Sequence, residues 1–416
     1  MDILRITTAG SVDDGKSTLI GRLLYDTNSI TKDKLEALEA ASKRKGLNFT
    51  DLSLLTDGLI AEREQGITID VAYIYFSTPS RKYIIADSPG HAEYTRNMIT
   101  GASTASVFII LIDARQGITE QTRRHFYIAS LLRIKEVIVC INKMDLVYHT
   151  ETVYDKVQQD FQDIIDKIGF EGQQVHFIPV AAKDGDNVVY PSQAMEWYNG
   201  PSLLEYLEAL EFDKEIQQLP ARFPVQYVIR PQEDRHHDFR GYAGRLVSGV
   251  FAEGDDVMVL PSERITKIKS IVKGDTQVRE TAGNESVVIT LEDDVDVSRG
   301  NMLVKPEEGV DQLTTIRATI CWMADATLTA GKMYLLQHGI NRVKVKVTSV
   351  GAVLDIHSLE TAVGKHRLEL NDIGEITLKS AAPLFADMYE HNPANGNFIL
   401  IDEFSNSTVA VGIVKA

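Results

Sequence analysis

Apolar residues follow two rhythms along the chain, and the rhythm changes near residue 222. Before it, short apolar runs near 3–9, 71–76, 82–87, 107–113, 136–142 and 175–181 alternate with helical stretches. Those helical stretches fall near 17–25, 32–44, 92–103, 119–132, 151–168 and 201–210. Such alternation predicts an α/β domain over 1–212, a mostly parallel sheet covered by helices. Residues 211–224 carry charge and the steps Leu219-Pro220 and Phe223-Pro224, which predict a linker. Beyond 222, strands with alternating apolar residues sit between Gly, Asp and Asn turns, near 225–230, 244–251, 256–260, 265–272, 286–291 and 302–305. A second group follows near 313–322, 343–350, 374–378, 398–401 and 409–414. Short strands at this spacing predict two antiparallel β-barrels, over 222–310 and 311–416.

Composition narrows this picture without redirecting it. At 416 residues, 44% hydrophobic and 25% charged, the chain can build sizeable cores in two or three domains. No apolar run approaches the ~18 residues of a membrane span. The sequence opens on a strand with no signal peptide, so a cytoplasmic protein is expected. Its two cysteines, Cys140 and Cys321, lie far apart, and Cys140 sits in an apolar run, which predicts a buried free thiol. A net charge of −16 disfavours a polyanion as the main partner.

Chemistry concentrates in the first domain. After the apolar Ile3, Leu4 and Ile6, the chain reads Gly10-Ser11-Val12-Asp13-Asp14-Gly15-Lys16-Ser17, then Thr18 and a helical stretch. Strand, glycine-bounded loop, Lys-Ser and helix form a phosphate-binding loop. Glycines let successive N–H groups point inward, and the helix N-terminus adds partial positive charge. Lys16 should reach the β- and γ-phosphates and Ser17 should bind Mg²⁺.

Three further stretches say which nucleotide. Asn142-Lys143-Met144-Asp145 follows an apolar strand. A carboxylate at Asp145 can accept N1–H and the exocyclic amine of guanine, a pair adenine lacks; such a buried acceptor typically rejects the wrong partner ~10⁴-fold. Asn142 should bond the base and brace the phosphate loop, and the Lys143 stem should lie over the ring. Ala181-Ala182-Lys183 should complete the pocket through backbone N–H. Asp87-Ser88-Pro89-Gly90-His91 ends another strand. Asp87 should hold Mg²⁺ through water and the Gly90 N–H should meet the γ-phosphate, with His91 placed to orient the attacking water. Residues 62–70 (EREQGITID) carry Thr68, a second candidate Mg²⁺ ligand, in a loop of the kind that γ-phosphate orders. GTP and Mg²⁺ are therefore the expected ligands.

Together these stretches resemble a translation-factor-type GTPase. Within that superfamily, longer runs closely resemble the large GTPase subunit of bacterial sulfate adenylyltransferase, the ATP sulfurylase of sulfate assimilation. They include SVDDGKSTLIGRLLYD at 11–26, DGLIAEREQGITIDVAYIYFST at 57–78, IIADSPGHAEYTRNMITGAS at 84–103 and DARQGITEQTRRHFYIASLL at 113–132. INKMDL at 141–146, GDNVV at 185–189, RFPVQYVIRP at 222–231 and FRGYAG at 239–244 extend it. Elongation factors that carry tRNA usually have His or Ala where Asp14 stands. Ser88 replaces the family's usual Thr, Ala92-Glu93 a common Glu-Gln, and Ala181 a usual Ser. The segment 231–238 (PQEDRHHD) is longer than the usual turn, and its adjacent His236 and His237 are badly placed to ligate one ion.

The resemblance implies a GTPase acting through a smaller partner that binds ATP and sulfate, in a heterodimer or higher assembly, and makes adenosine 5′-phosphosulfate and pyrophosphate. No second phosphate loop appears, so a fused adenylylsulfate kinase is not expected within these residues. A GTP-dependent scaffold with no coupled chemistry stays open, and the other competing reading is a translation factor delivering RNA. Net charge and Asp14 oppose it, whereas Arg342, Lys344 and Lys346 on one strand face could meet phosphates.

Overall fold

The computed structural model describes residues 3–44, 50–55, 71–88, 95–211, 214–230, 239–355, 358–362 and 364–415. The chain divides into two compact units, one of residues 1–210 with 355–360 and one of the remainder. The first holds a six-stranded sheet of β1 (Ile3–Gly10), β2 (Ala72–Ser77), β3 (Lys82–Asp87), β4 (Val107–Asp113), β5 (Glu136–Asn142) and β6 (Gln174–Pro179), in the order β2-β3-β1-β4-β5-β6. Only β2, at an edge, runs antiparallel; its neighbours pair in parallel. Every residue of β4 is buried, as a central strand covered on both faces requires.

Among the described residues, the connecting helices are α1 (Lys16–Asp26), α2 (Lys32–Arg44), α3 (Thr95–Ala102), α4 (Glu120–Leu131), α5 (Glu151–Ile168) and α6 (Leu203–Ala209). In α1, Leu19, Ile20 and Leu23 are buried on one face, so apolar spacing sets the helix against the sheet. Thr119 and Ser202 cap α4 and α6 through reciprocal capping boxes. Strand order reverses at β1: the chain leaves it toward β3 and later returns on the other side as β4. The carboxyl ends of β1, β3, β4 and β5 therefore converge where open α/β sheets bind ligands.

The second unit holds two closed six-stranded antiparallel barrels. In the first, β7 (Arg222–Ile229), β8 (Gly241–Arg245), β9 (Asp256–Leu260), β10 (Arg264–Lys273), β11 (Ser286–Leu291) and β12 (Met302–Val304) run β9-β12-β7-β8-β11-β10, closed by pairing of β9 with β10. In the second, β13 (Gln312–Trp322), β14 (Met333–His338), β15 (Asn341–Asp355), β16 (Ile373–Phe385), β17 (Asn397–Ile401) and β18 (Thr408–Val414) run β14-β17-β18-β13-β16-β15, closed by β14 with β15. Each barrel surrounds its own apolar core, the second around Trp322 and Phe398 and the first around Phe223 and Phe251.

Two expectations need correction. The strand expected over 244–251 is broken into Gly241–Arg245 and Val250–Ala252. Gly249 takes φ +75°, and a Cβ there would stand 2.3 Å from the Ala221 Cα, so the chain must turn at a residue without a side chain. The expected linker contains α7 (Lys214–Gln218), and β7 already starts at Arg222.

A buried ion pair joins the two barrels. The Arg222 guanidinium grips Asp387 with Nε at 3.0 Å and Nη2 at 2.9 Å. It also donates to the carbonyls of Ala221 (3.1 Å), Glu308 (3.0 Å) and Gly309 (2.5 Å). Asp387 accepts further bonds from Asn392 and Asn395, so the buried charges are fully engaged.

Candidate functional site

The glycine-bounded loop sits at the end of β1. Gly15 caps α1 at φ +96°, and a Cβ there would lie 2.5 Å from Asn142 Nδ2. Both facts demand glycine. Asp14 folds back into the loop: its carboxylate accepts the Ser11 N–H at 2.5 Å, and its own N–H donates to the Ser11 carbonyl at 3.2 Å. Burial pushes the Asp14 carboxyl above its ordinary range, against the Ser11 hydrogen bond and Lys16. Lys16 is buried and donates from Nζ to the Gly10 carbonyl at 3.1 Å. Burial lowers its ammonium, opposed by the charges of Asp87, Asp14 and Asp13. Val12 and Thr18 are half-buried, and Asp13 is exposed at φ 70°. The Ser11 hydroxyl lies 3.0 Å from that of Thr119, joining the loop to the start of α4.

Ser17 stands in the first turn of α1 and makes no side-chain hydrogen bond among the described residues. Asp87 ends β3, buried, with Oδ1 accepting the Thr8 hydroxyl at 3.1 Å. Ser88 is buried beside it, its hydroxyl 3.1 Å from that of Thr7. Adjacent β1 threonines thus fix the end of β3. Hydroxyl and carboxylate oxygens are hard donors that suit Mg²⁺ shared with phosphates. Thr68, Pro89, Gly90, His91, His236 and His237 lie outside the described residues.

The base side forms at the ends of β5 and β6. Asn142, buried, donates from Nδ2 to the Asp14 carbonyl at 2.7 Å and accepts the Ala182 N–H on Oδ1 at 3.0 Å. One side chain therefore braces the phosphate loop and the 181–183 loop together. The Ala181 and Ala182 N–H groups, expected to face the base, are paired within the protein, Ala181 with the Asp186 carbonyl. Buried amides require partners. Lys183 offers its carbonyl to Arg22 at 3.4 Å. Lys143 is left-handed, at φ 63°, and its Nζ donates to the Asp13 carbonyl. Met144 is fully buried, its N–H on the Val180 carbonyl. This turn presents Asp145, half-buried, whose carboxylate has no hydrogen-bond partner among the described residues. An unengaged acceptor beside a braced phosphate loop fits a guanine nucleotide.

The sequence reading missed Asp113 and Arg115. Asp113, level with Asn142 on the neighbouring strand, accepts Lys143 Nζ at 2.9 Å and Arg115 Nη2 at 2.6 Å. Its place at the carboxyl end of a central strand was the available signal. Both cysteines are free and buried, and burial pushes the Cys140 thiol up to about 12. The described residues hold no cluster of three or more His, Cys, Asp or Glu suited to a metal and no helix long and apolar enough to cross a membrane.

Comparison with known proteins agrees with this geometry. Residues 1–215 match the elongation factor Tu GTP binding domain. Residues 315–415 match the GTP-eEF1A C-terminal domain-like family. The chain is 48% identical over 415 residues to sulfate adenylyltransferase subunit 1 of Cellvibrio japonicus, covering 99% of this chain and 86% of that one. The protein of the same description from Bacteroides thetaiotaomicron is 46% identical, again covering 99% and 86%. A bifunctional enzyme CysN/CysC of Mycobacterium tuberculosis is 46% identical over 413 residues, which cover 99% of this chain and 67% of that protein.

Proposed function

The chain belongs to the sulfate adenylyltransferase subunit 1 family, on a GTP-binding domain of the elongation factor Tu type, and from that premise we propose that its GTP hydrolysis drives sulfate activation by a smaller catalytic partner. The partner binds ATP and sulfate and releases adenosine 5′-phosphosulfate and pyrophosphate in the cytoplasm. The observation that carries the nucleotide assignment is the unengaged Asp145 carboxylate beside a phosphate loop braced by Asn142.

In this reading Asp145 accepts the guanine N1–H and exocyclic amine, and Asn142 holds the base loop against the phosphate loop. Lys16 leaves the Gly10 carbonyl for the β- and γ-phosphates; its burial makes that ammonium worth more there than in water. Ser17, Asp87 and Thr68 would hold Mg²⁺, which would supply positive charge against the nucleotide phosphates. Ser88 and Pro89 carry the chain from Asp87 to Gly90, whose N–H meets the γ-phosphate, and His91 orients water for attack. Domains over 1–212, 222–310 and 311–416 separate this chemistry from the barrels.

An RNA-delivering role draws less support. Of the basic residues on β15, Arg342 bonds Gln337 and Lys344 pairs with Glu403. A titration of GTP against ATP in a calorimeter, followed by capture of the partner from a native extract, tests the proposal. Binding of GTP with no detectable ATP binding supports it; equal affinities would refute the base assignment.

A further inference from the structure

Asp113 ends β4 with its side chain fully buried. Alone it would be an isolated buried anion, but two cations close on it. Arg115 supplies a fork, Nε to Oδ1 at 3.0 Å and Nη2 to Oδ2 at 2.6 Å, while its backbone N–H bonds Oδ1 at 2.9 Å. The second oxygen also accepts Lys143 Nζ at 2.9 Å. The same ammonium donates to the Asp13 carbonyl in the phosphate loop. Lys143 is thus a strut between the end of β4 and the crest of the phosphate loop. Burial alone would raise the Asp113 carboxyl, but the bonds from Arg115 and Lys143 outweigh it and keep it charged well below the usual carboxylate range.

Resting on the reading of this pocket as a guanine-nucleotide site, we propose that Asp113 and Arg115 are positioning residues that hold Lys143 across the base pocket and so set how slowly bound nucleotide leaves. A lysine stem has four rotatable bonds and is costly to order. Tied at its tip to two acceptors, it is ordered before nucleotide arrives, so binding need not order it. Release requires the phosphate loop and the base loop to part, and Lys143 must then leave Asp113 or Asp13. Arg115 fixes the Asp113 carboxylate so that one oxygen faces Lys143. Its own half-exposed guanidinium lies within electrostatic reach of Asp145.

The test measures release of N-methylanthraniloyl-GDP from the full chain, chased with unlabelled GDP, for wild type, Asp113→Asn, Arg115→Ala, Lys143→Ala and the Asp113→Asn/Lys143→Ala double variant. Asp113→Asn should speed release by about tenfold and Arg115→Ala by about threefold, as losses of charge-assisted bonds. In the Lys143→Ala background, Asp113→Asn should add almost nothing, because its effect passes through Lys143. A merely structural role would instead multiply the two effects, and that result, or unchanged single-variant rates, would overturn the proposal. Should Asp113→Asn fail to fold, the half-exposed Arg115→Ala carries the same cycle with Lys143→Ala. Wild type that binds labelled ADP but not labelled GDP would refute the pocket reading and the strut with it. Wild type that binds GDP with multiplicative variant effects refutes the strut alone.

Discussion

Replacing Arg222 by Met should loosen the second unit more than any surface change. The guanidinium is 1% exposed. Its removal strips Asp387 of two donors and the carbonyls of Ala221, Glu308 and Gly309 of one each. Methionine fills the stem's volume, so the loss is electrostatic and not a cavity. Breaking a buried pair by removing one partner costs about 3–5 kcal/mol. Asp387 keeps the Asn392 and Asn395 donors, so we expect the lower end, about 3 kcal/mol. Arg222→Lys keeps the charge but loses the fork, and should cost about 1–2 kcal/mol. The assay is urea unfolding followed by Trp322 fluorescence in a Trp197→Phe background, which leaves Trp322, buried in the second barrel's core, as the sole tryptophan. With slopes of roughly 1–3 kcal/mol per molar urea, the midpoint should fall by at least about 1 M. A loss under about 1 kcal/mol, or Lys equal to Met, would refute the view that the fork clasps the barrels.

Asp145→Asn should weaken GTP binding about 100-fold or more, since each hydrogen bond to a charged group contributes about 1.5–3 kcal/mol, and should admit xanthine nucleotides; titration calorimetry showing unchanged GTP affinity would contradict it. His91→Ala should change GTP affinity little while lowering hydrolysis by ~10²-fold, read as partner-stimulated phosphate release. His125 is buried, and burial, with Lys16 and Arg124, lowers it to about 3. The unfolded chain therefore binds its proton first as pH falls from about 6.5 toward 3, and stability is lost in that window. Between pH 7 and 5, wild type should lose about 2 kcal/mol more than His125→Gln in urea titrations; equal losses would show that the imidazole is not held neutral.

The first unit was legible because its signals are local and redundant. The runs at 107–113 and 136–142 are β4 and β5 to the residue, since strands covered on both faces read as unbroken apolar runs, here bounded by the polar Asp113, Glu136 and Asn142. The barrels were harder. β14 is not legible although Tyr334, Leu336 and His338 face inward, because the outward Met333 and Leu335 are apolar too and the last inward position is a histidine, so no alternation shows. The break at Gly249 depends on Ala221, far away in sequence, and no local pattern announces it. In the site, Gly15, Lys16 and Asn142 stand out by spacing alone. Asp113 and Arg115 do not, because their partner Lys143 lies about 30 residues on and meets them only through strand pairing. The Asn142 bond to the phosphate loop was expected from the motif, whereas its second bond, from the Ala182 N–H, required the fold that brings both loops to one amide.

The most direct test of the account is sulfate-dependent release of pyrophosphate from ATP by the reconstituted pair, this chain with its smaller partner, with and without GTP. The account predicts that GTP raises the amount of adenosine 5′-phosphosulfate formed beyond the GTP-free equilibrium, with phosphate from GTP appearing in proportion. Synthesis that reaches the same yield without GTP, or that rises with GTP while no GTP is hydrolysed, would contradict it.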